Sequence, residues 1–89
     1  MLISLNINIY GMVQNVGFRY YTNKKARVLG INGFVKNMPD GSVYVEAEGE
    51  ADIMDTFLEF CEKGPSWSRV DKINVQEAPE KNFGDFRIR

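Results

Sequence analysis

"INGFVKNMPDGSVYVEAEG", residues 31–49, decides how the rest of the chain is read. "INGFVKN", residues 31–37, reads as a strand, and "VYVEAEG", residues 43–49, alternates apolar with polar positions at period two. Between them "MPDGS" supplies the Pro, Asp and Gly of a tight turn. Two strands joined in this way form a hairpin.

Working outward from the hairpin, residues Phe18 to Leu29 read as a helix. Phe18, Thr22, Ala26 and Leu29 share one face, Lys24, Lys25 and Arg27 lie largely outside it, and Gly30 stands at its end. Before it, "LISLNINIY" (2–10) sets Leu2, Ile3, Leu5, Ile7 and Ile9 against Ser4, Asn6 and Asn8, the pattern of a half-buried strand. After the hairpin, Glu50 to Lys63 form the clearest helix. Ile53, Phe57 and Phe60 repeat at helical spacing, Met54, Leu58 and Cys61 lie beside them, and Gly64 and Pro65 stop the run. Asp52 and Asp55 near its start suit the helix dipole. "RVDKINVQEA" (69–78) reads as a fourth strand, "PEKNFG" (79–84) as a loop and "DFRIR" (85–89) as a short final strand. Trp67 falls in the loop after the second helix and is expected to be partly buried; exposed, it would mark a partner surface.

The element order is β-α-β-β-α-β plus one strand. It implies an α+β, ferredoxin-like sandwich: an antiparallel sheet, two helices on one face and a short extra C-terminal strand. The 89 residues are expected to form a single domain, 1–89, burying roughly 60–65% of its unfolded surface. No apolar run approaches the roughly 20 residues of a membrane helix. "MLISLNINIY" lacks the basic and small-residue features of a secretory leader. The single Cys61 cannot form an internal disulfide, and a free thiol suits a reducing compartment, so a cytoplasmic location is expected.

Charge is distributed unevenly. Residues 1–39 hold five basic side chains (Arg19, Lys24, Lys25, Arg27, Lys36) and no carboxylate, whereas residues 40–89 hold six basic and twelve acidic ones. An anionic ligand therefore suits the N-terminal half. The net charge of −1 and a pI near 5.4 argue against nucleic acid as a partner.

"YGMVQNVGFRYY" (10–21) occupies the corner between the first strand and the first helix. If Phe18 begins the helix, the amides around residues 14–19 lie at its N-terminal end, where N–H groups lack intrahelical partners and the dipole is positive. Arg19 adds a planar fork of five donors that matches two oxygens of a phosphate. On residue types alone, a wide connection with Arg19 in solvent is the better reading of the corner, since glycine-rich loops are common and short motifs mislead. Asn37, just before "MPDG", reads by type as a residue ending a strand at a turn.

The stretch "GMVQNVGFRYYTNKKARVLGINGFVKNMPDGSVYVEAEG" resembles the acylphosphatase family. Its G-x-V-Q-G-V-x-F-R signature is met by Gly11, Val13, Gln14, Val16, Phe18 and Arg19, and its G-x-V-x-N-x-x-D-G-S-V signature by Gly33, Val35, Asn37, Asp40, Gly41, Ser42 and Val43. The resemblance implies hydrolysis of the carboxyl-phosphate bond of small-molecule acyl phosphates to carboxylate and inorganic phosphate. It assigns phosphoryl binding to Arg19 with the loop Gln14, Asn15, Val16, Gly17 and Phe18, and orientation of the attacking water to Asn37. No cofactor, metal or membrane is implied, and a monomer is expected.

The residue inventory agrees with that chemistry. There is no His, and Cys61 sits in an apolar pattern. An acyl phosphate leaves as a carboxylate whose conjugate acid has a pKa of roughly 4, so no general acid is required. Phosphoryl transfer depends mostly on positioning and charge stabilisation.

One position departs from the signature: Asn15 stands where the family has Gly. Asn tolerates a left-handed backbone better than most residues. The loop is therefore expected to close with Asn15 left-handed and pointing outward. The alternative is a catalytically weakened, acylphosphatase-like domain acting as a binding or regulatory module. RNA-recognition domains share the element order, but in "NGFVKN" Phe34 is followed by Val, Lys and Asn, which is a poor stacking strand. A metallochaperone would need a CxxC that is absent.

Overall fold

The computed structural model describes all of residues 1–89. The elements are β1 (Leu2–Met12), α1 (Phe18–Leu29), β2 (Asn32–Asn37), β3 (Val43–Glu50), α2 (Ala51–Lys63), β4 (Arg69–Glu77) and β5 (Phe86–Ile88). They build the expected ferredoxin-like α+β sandwich.

The strand order is β4-β1-β3-β2-β5. The four long strands pair antiparallel, and β1 sits inside the sheet with Ile7 opposite Val45 of β3 and Val75 of β4. β5 lies parallel to β2, with Gly33 facing Phe86 and Val35 facing Ile88, so the sheet is mixed rather than purely antiparallel. The parallel direction follows from the chain's path: residues 78–85 carry it from one edge of the sheet to the other before β5 begins.

One cluster of 15 buried residues joins the helices to the sheet. Leu5, Ile7 and Ile9 of β1 lie opposite Ala47, Val45 and Val43 of β3, so the period-two pattern delivers both sets to the same face. α1 meets them with Phe18, Thr22 and Ala26, as its spacing predicts. α2 is turned slightly from expectation. Its fully buried stripe is Met54, Phe57 and Cys61, while Ile53, Leu58 and Phe60 pack at the margin. α1 closes at Gly30, beyond which the Ile31 amide donates to Ala26 O at 2.9 Å.

The sheet's second face is also partly covered, which alternation alone does not anticipate. Glu46 and Glu48 are buried there. Lys81 Nζ donates to Glu46 Oε1 at 2.5 Å, the Lys81 amide donates to Glu48, and the Phe83 amide donates to Glu48 Oε1 at 3.1 Å. The segment leading to β5 thus straps this face and supplies partners for two carboxylates that would be costly to bury alone. Burial by itself would raise the Glu46 pKa, but Lys81 and the Tyr44 hydroxyl outweigh it and hold the carboxyl below the usual range. Phe34 is enclosed between Tyr44 and Phe83, each with ring centroids 5.9 Å away, and offers no platform for a stacked base. Trp67 is 78% exposed rather than partly buried, because Ser68 folds back on Pro65 O through its amide (2.9 Å) and hydroxyl (2.7 Å) and the loop turns away from the core.

Candidate active site

Residues 13–17 join β1 to α1 across the end of the sheet. Val13 is buried in the core and Val16 packs against it, anchoring the loop at two points. Between and beyond them, Asn15 (φ 63°) and Gly17 (φ 80°) are left-handed. At Gly17 a Cβ would also stand 3.3 Å from the Tyr21 ring. The Asn15 side chain makes no hydrogen bond within the protein, so it does not compete for the loop's amides; the residue borders the cleft rather than turning wholly away from it.

Gly17 is the residue before α1, and the helix opens with the Tyr21 amide donating to Gly17 O at 3.0 Å. No side chain caps this end, and its first turn contains no carboxylate. The amides of Phe18, Arg19 and Tyr20 are therefore free donors at the positive end of a 12-residue helix. Arg19 takes part in none of the four ion pairs, which join Met1 to Glu50, Arg69 to Asp71, Lys81 to Glu46 and Arg87 to Asp85. Its guanidinium is exposed and unpaired beside those amides.

These groups face a cleft of about 220 Å³ lined by Val13, Asn15, Gly17, Phe18, Arg19, Tyr20, Asn37 and Ile88. Asn37 arrives from the far side, as the last residue of β2. Its Oδ1 is buried and has no hydrogen-bond partner in the protein. An unpartnered buried acceptor is costly in a folded protein; Asn6 Oδ1 and Thr22 Oγ1 share that state, but of the three residues only Asn37 lines the cleft that Arg19 also lines. The turn after Asn37 is tightly bonded. The Met38 amide donates to Ser42 O at 2.8 Å, and Asp40 Oδ1 accepts from the Ser42 amide at 2.9 Å and hydroxyl at 2.6 Å. Those two bonds hold the Asp40 carboxyl below the usual range, the behaviour of a turn residue.

Sequence reasoning missed three lining residues and one role. Val13 and Tyr20 were readable as the immediate neighbours of the 14–19 loop, but Ile88 reaches the cleft only through tertiary placement. The Gln14 side chain does not line the cleft at all. It reaches the 38–42 turn, where Nε2 donates to Met38 O at 2.8 Å and Ser42 O at 2.9 Å. The lone thiol is remote from this chemistry: Cys61 is fully buried in α2, and desolvation pushes its pKa up.

The arrangement can hold a tetrahedral anion against neutral amides and one fixed positive charge, in a cleft that Asn37 also lines. The Acylphosphatase family model matches residues 5–88. The chain is 45% identical over 87 residues to an acylphosphatase of Archaeoglobus fulgidus, covering 98% of each chain. It is 47% identical over 81 residues to one of Mannheimia succiniciproducens, covering 90% of each. The crystal structure of acylphosphatase from Bacillus subtilis superposes with a TM-score of 0.95 at 36% identity, over 100% of this chain and 99% of that one.

Proposed function

The chain belongs to the acylphosphatase family and is an enzyme of it, and from that premise we propose how its own residues carry the reaction. The substrate is a small-molecule acyl phosphate. Its phosphoryl oxygens accept hydrogen bonds from the amides of the 14–19 loop and from the Arg19 guanidinium. Asn37 Oδ1 accepts a hydrogen bond from a water in line with the bond to the acyl oxygen. The water oxygen attacks phosphorus, the P–O bond to the acyl group breaks, and the carboxylate leaves with the bonding pair. A phosphoryl oxygen takes the water's proton. Catalysis is then positioning by Asn37 and charge stabilisation by Arg19 and the amides. The chain works as one domain.

The observation that carries this reading is that one cleft is lined both by an unpaired Arg19 at an uncapped helix start and by Asn37, whose Oδ1 has no partner in the protein. The test is hydrolysis of benzoyl phosphate, followed optically, with inorganic phosphate as competing inhibitor. Arg19→Ala should weaken phosphate inhibition and lower kcat/KM by roughly 10²–10³, the range for removing a donor to developing charge. Asn37→Ala should lower kcat by a similar order while phosphate inhibits as before. Full turnover in either variant would overturn that residue's role. No turnover in the parent chain would overturn the whole reading in favour of a domain weakened at Asn15.

A further inference from the structure

We propose that Gln14 is a positioning residue whose side-chain amide bolts the phosphate loop to the turn that carries Asn37. The proposal rests on the function above and reassigns Gln14 from ligand contact to brace.

The groups assigned to the anion all come from one continuous piece of chain, residues 14–19. Asn37 comes from the end of β2, in a separate piece. The loop and the turn meet at a seam, and side-chain hydrogen bonds cross it only from Gln14. Both N–H groups of its amide are used, on Met38 O at 2.8 Å and on Ser42 O at 2.9 Å. Those two carbonyls are also bonded by the turn itself: Met38 O accepts from the Gly41 amide at 3.1 Å and Ser42 O from the Met38 amide at 2.8 Å. Gln14 thus grips the closed end of a preformed turn, one residue beyond Asn37, rather than a loose strand. The spacing between bound phosphorus and the water on Asn37 depends on that grip.

This geometry separates two quantities. Phosphate affinity belongs to the loop alone and survives loss of the brace. In-line alignment belongs to both sides of the seam and does not. A misplacement of about 1 Å can cost about 10²-fold in rate, so a loosened seam should show in kcat. Gln14→Met keeps the length and removes both donors. It should lower kcat for benzoyl phosphate about tenfold or more, with the inhibition constant of inorganic phosphate changed less than about threefold. Gln14→Glu keeps the shape. Its carboxylate repels the two carbonyls at neutral pH, and the neutral acid regains one donor, so kcat relative to the parent should recover as pH falls through the carboxyl's range. Gln14→Met should show no such recovery.

The parent chain is assayed first. If it does not turn over, the functional reading fails. If it turns over and Gln14→Met keeps kcat within about twofold, only the brace fails. The brace is equally overturned if Gln14→Met loses phosphate affinity in step with kcat, which would make Gln14 part of the anion site, or if Gln14→Glu follows the parent's pH profile. Should Gln14→Met prove unstable, the Gln14→Glu profile alone decides.

Discussion

Replacing Asn15 by Gly, and separately by Val, tests whether the natural loop is a working cradle. Asn15 sits at φ 63°, where an ordinary L-residue costs about 1–2 kcal/mol and Asn somewhat less. Gly removes that cost but adds unfolded-state freedom worth about 0.4–1 kcal/mol. The two nearly cancel, so Asn15→Gly should change unfolding free energy by less than about 0.5 kcal/mol. The cradle's amides are backbone groups in either case, and the Asn15 side chain bonds none of them. Turnover of benzoyl phosphate should therefore stay within about threefold, roughly 0.7 kcal/mol in activation free energy. Val keeps the amide but is β-branched, and it resists the left-handed region most strongly. Asn15→Val should lose about 1–2 kcal/mol of stability or, if the loop relaxes instead, most of its activity. Urea unfolding and a turnover assay on the same three proteins read both axes. Activity that appears only in the Gly variant would refute the argument and make Asn15 a lesion.

Three further outcomes follow from the packing. A Cβ at Gly33 (φ 144°) would lie 1.8 Å from Glu46 O, so Gly33→Ala must separate β2 from β3 and should cost about 3 kcal/mol or more in chemical denaturation. Cys61→Ala should retain turnover, and alkylation of the native protein should be slow, because the thiol is buried and its pKa raised; rapid inactivation by iodoacetamide would contradict the site assignment. The Glu46 carboxyl has a lowered pKa, so the stability it contributes is present above the unfolded carboxylate range and is lost as pH falls through its folded value. Glu46→Gln should accordingly flatten the acid side of the stability profile, which melting temperatures across that range will check.

Elements with a strong local signal were legible in the chain. α1 was bounded correctly because Phe18, Thr22 and Ala26 repeat over three turns and Gly30 stops them. The hairpin was legible because "MPDGS" can do little other than turn. Arg19 and Asn37 were singled out by resemblance to two family signatures, since neither residue type stands out alone, and both line the cleft. Other features depend on tertiary placement. Nothing local tells that β5 runs parallel to β2, that residues 78–85 cover Glu46 and Glu48, or that Ile88 reaches the cleft. Gln14 was singled out for its position in a loop of amides, but its side-chain role depends on where a turn 24 residues later comes to rest. Trp67 was misjudged because a large aromatic is usually packed, and local bonds from Ser68 to Pro65 turned its loop outward.

β5 forms one edge of the sheet with only three residues. It is held by the Gly33 amide on Asp85 O (2.8 Å), the Arg89 amide on Val35 O (2.9 Å), and by Asn23 and Arg27 of α1, both donating to Phe86 O at 3.1 Å. Phe86 anchors this edge in the core, but Arg87, Ile88 and Arg89 beyond it are exposed, and such a strand end frays at lower free energy than the whole molecule. Its opening carries away Ile88, one wall of the cleft, while the amides beside Arg19 stay on α1 and Asn37 stays paired with Val43. The cleft therefore has a firm floor that receives phosphate and a soft wall that can breathe. In amide hydrogen exchange, residues 87–89 should exchange well before β1 and β3. Inorganic phosphate, seated on the floor, should slow exchange at the start of α1 and leave the soft wall unchanged.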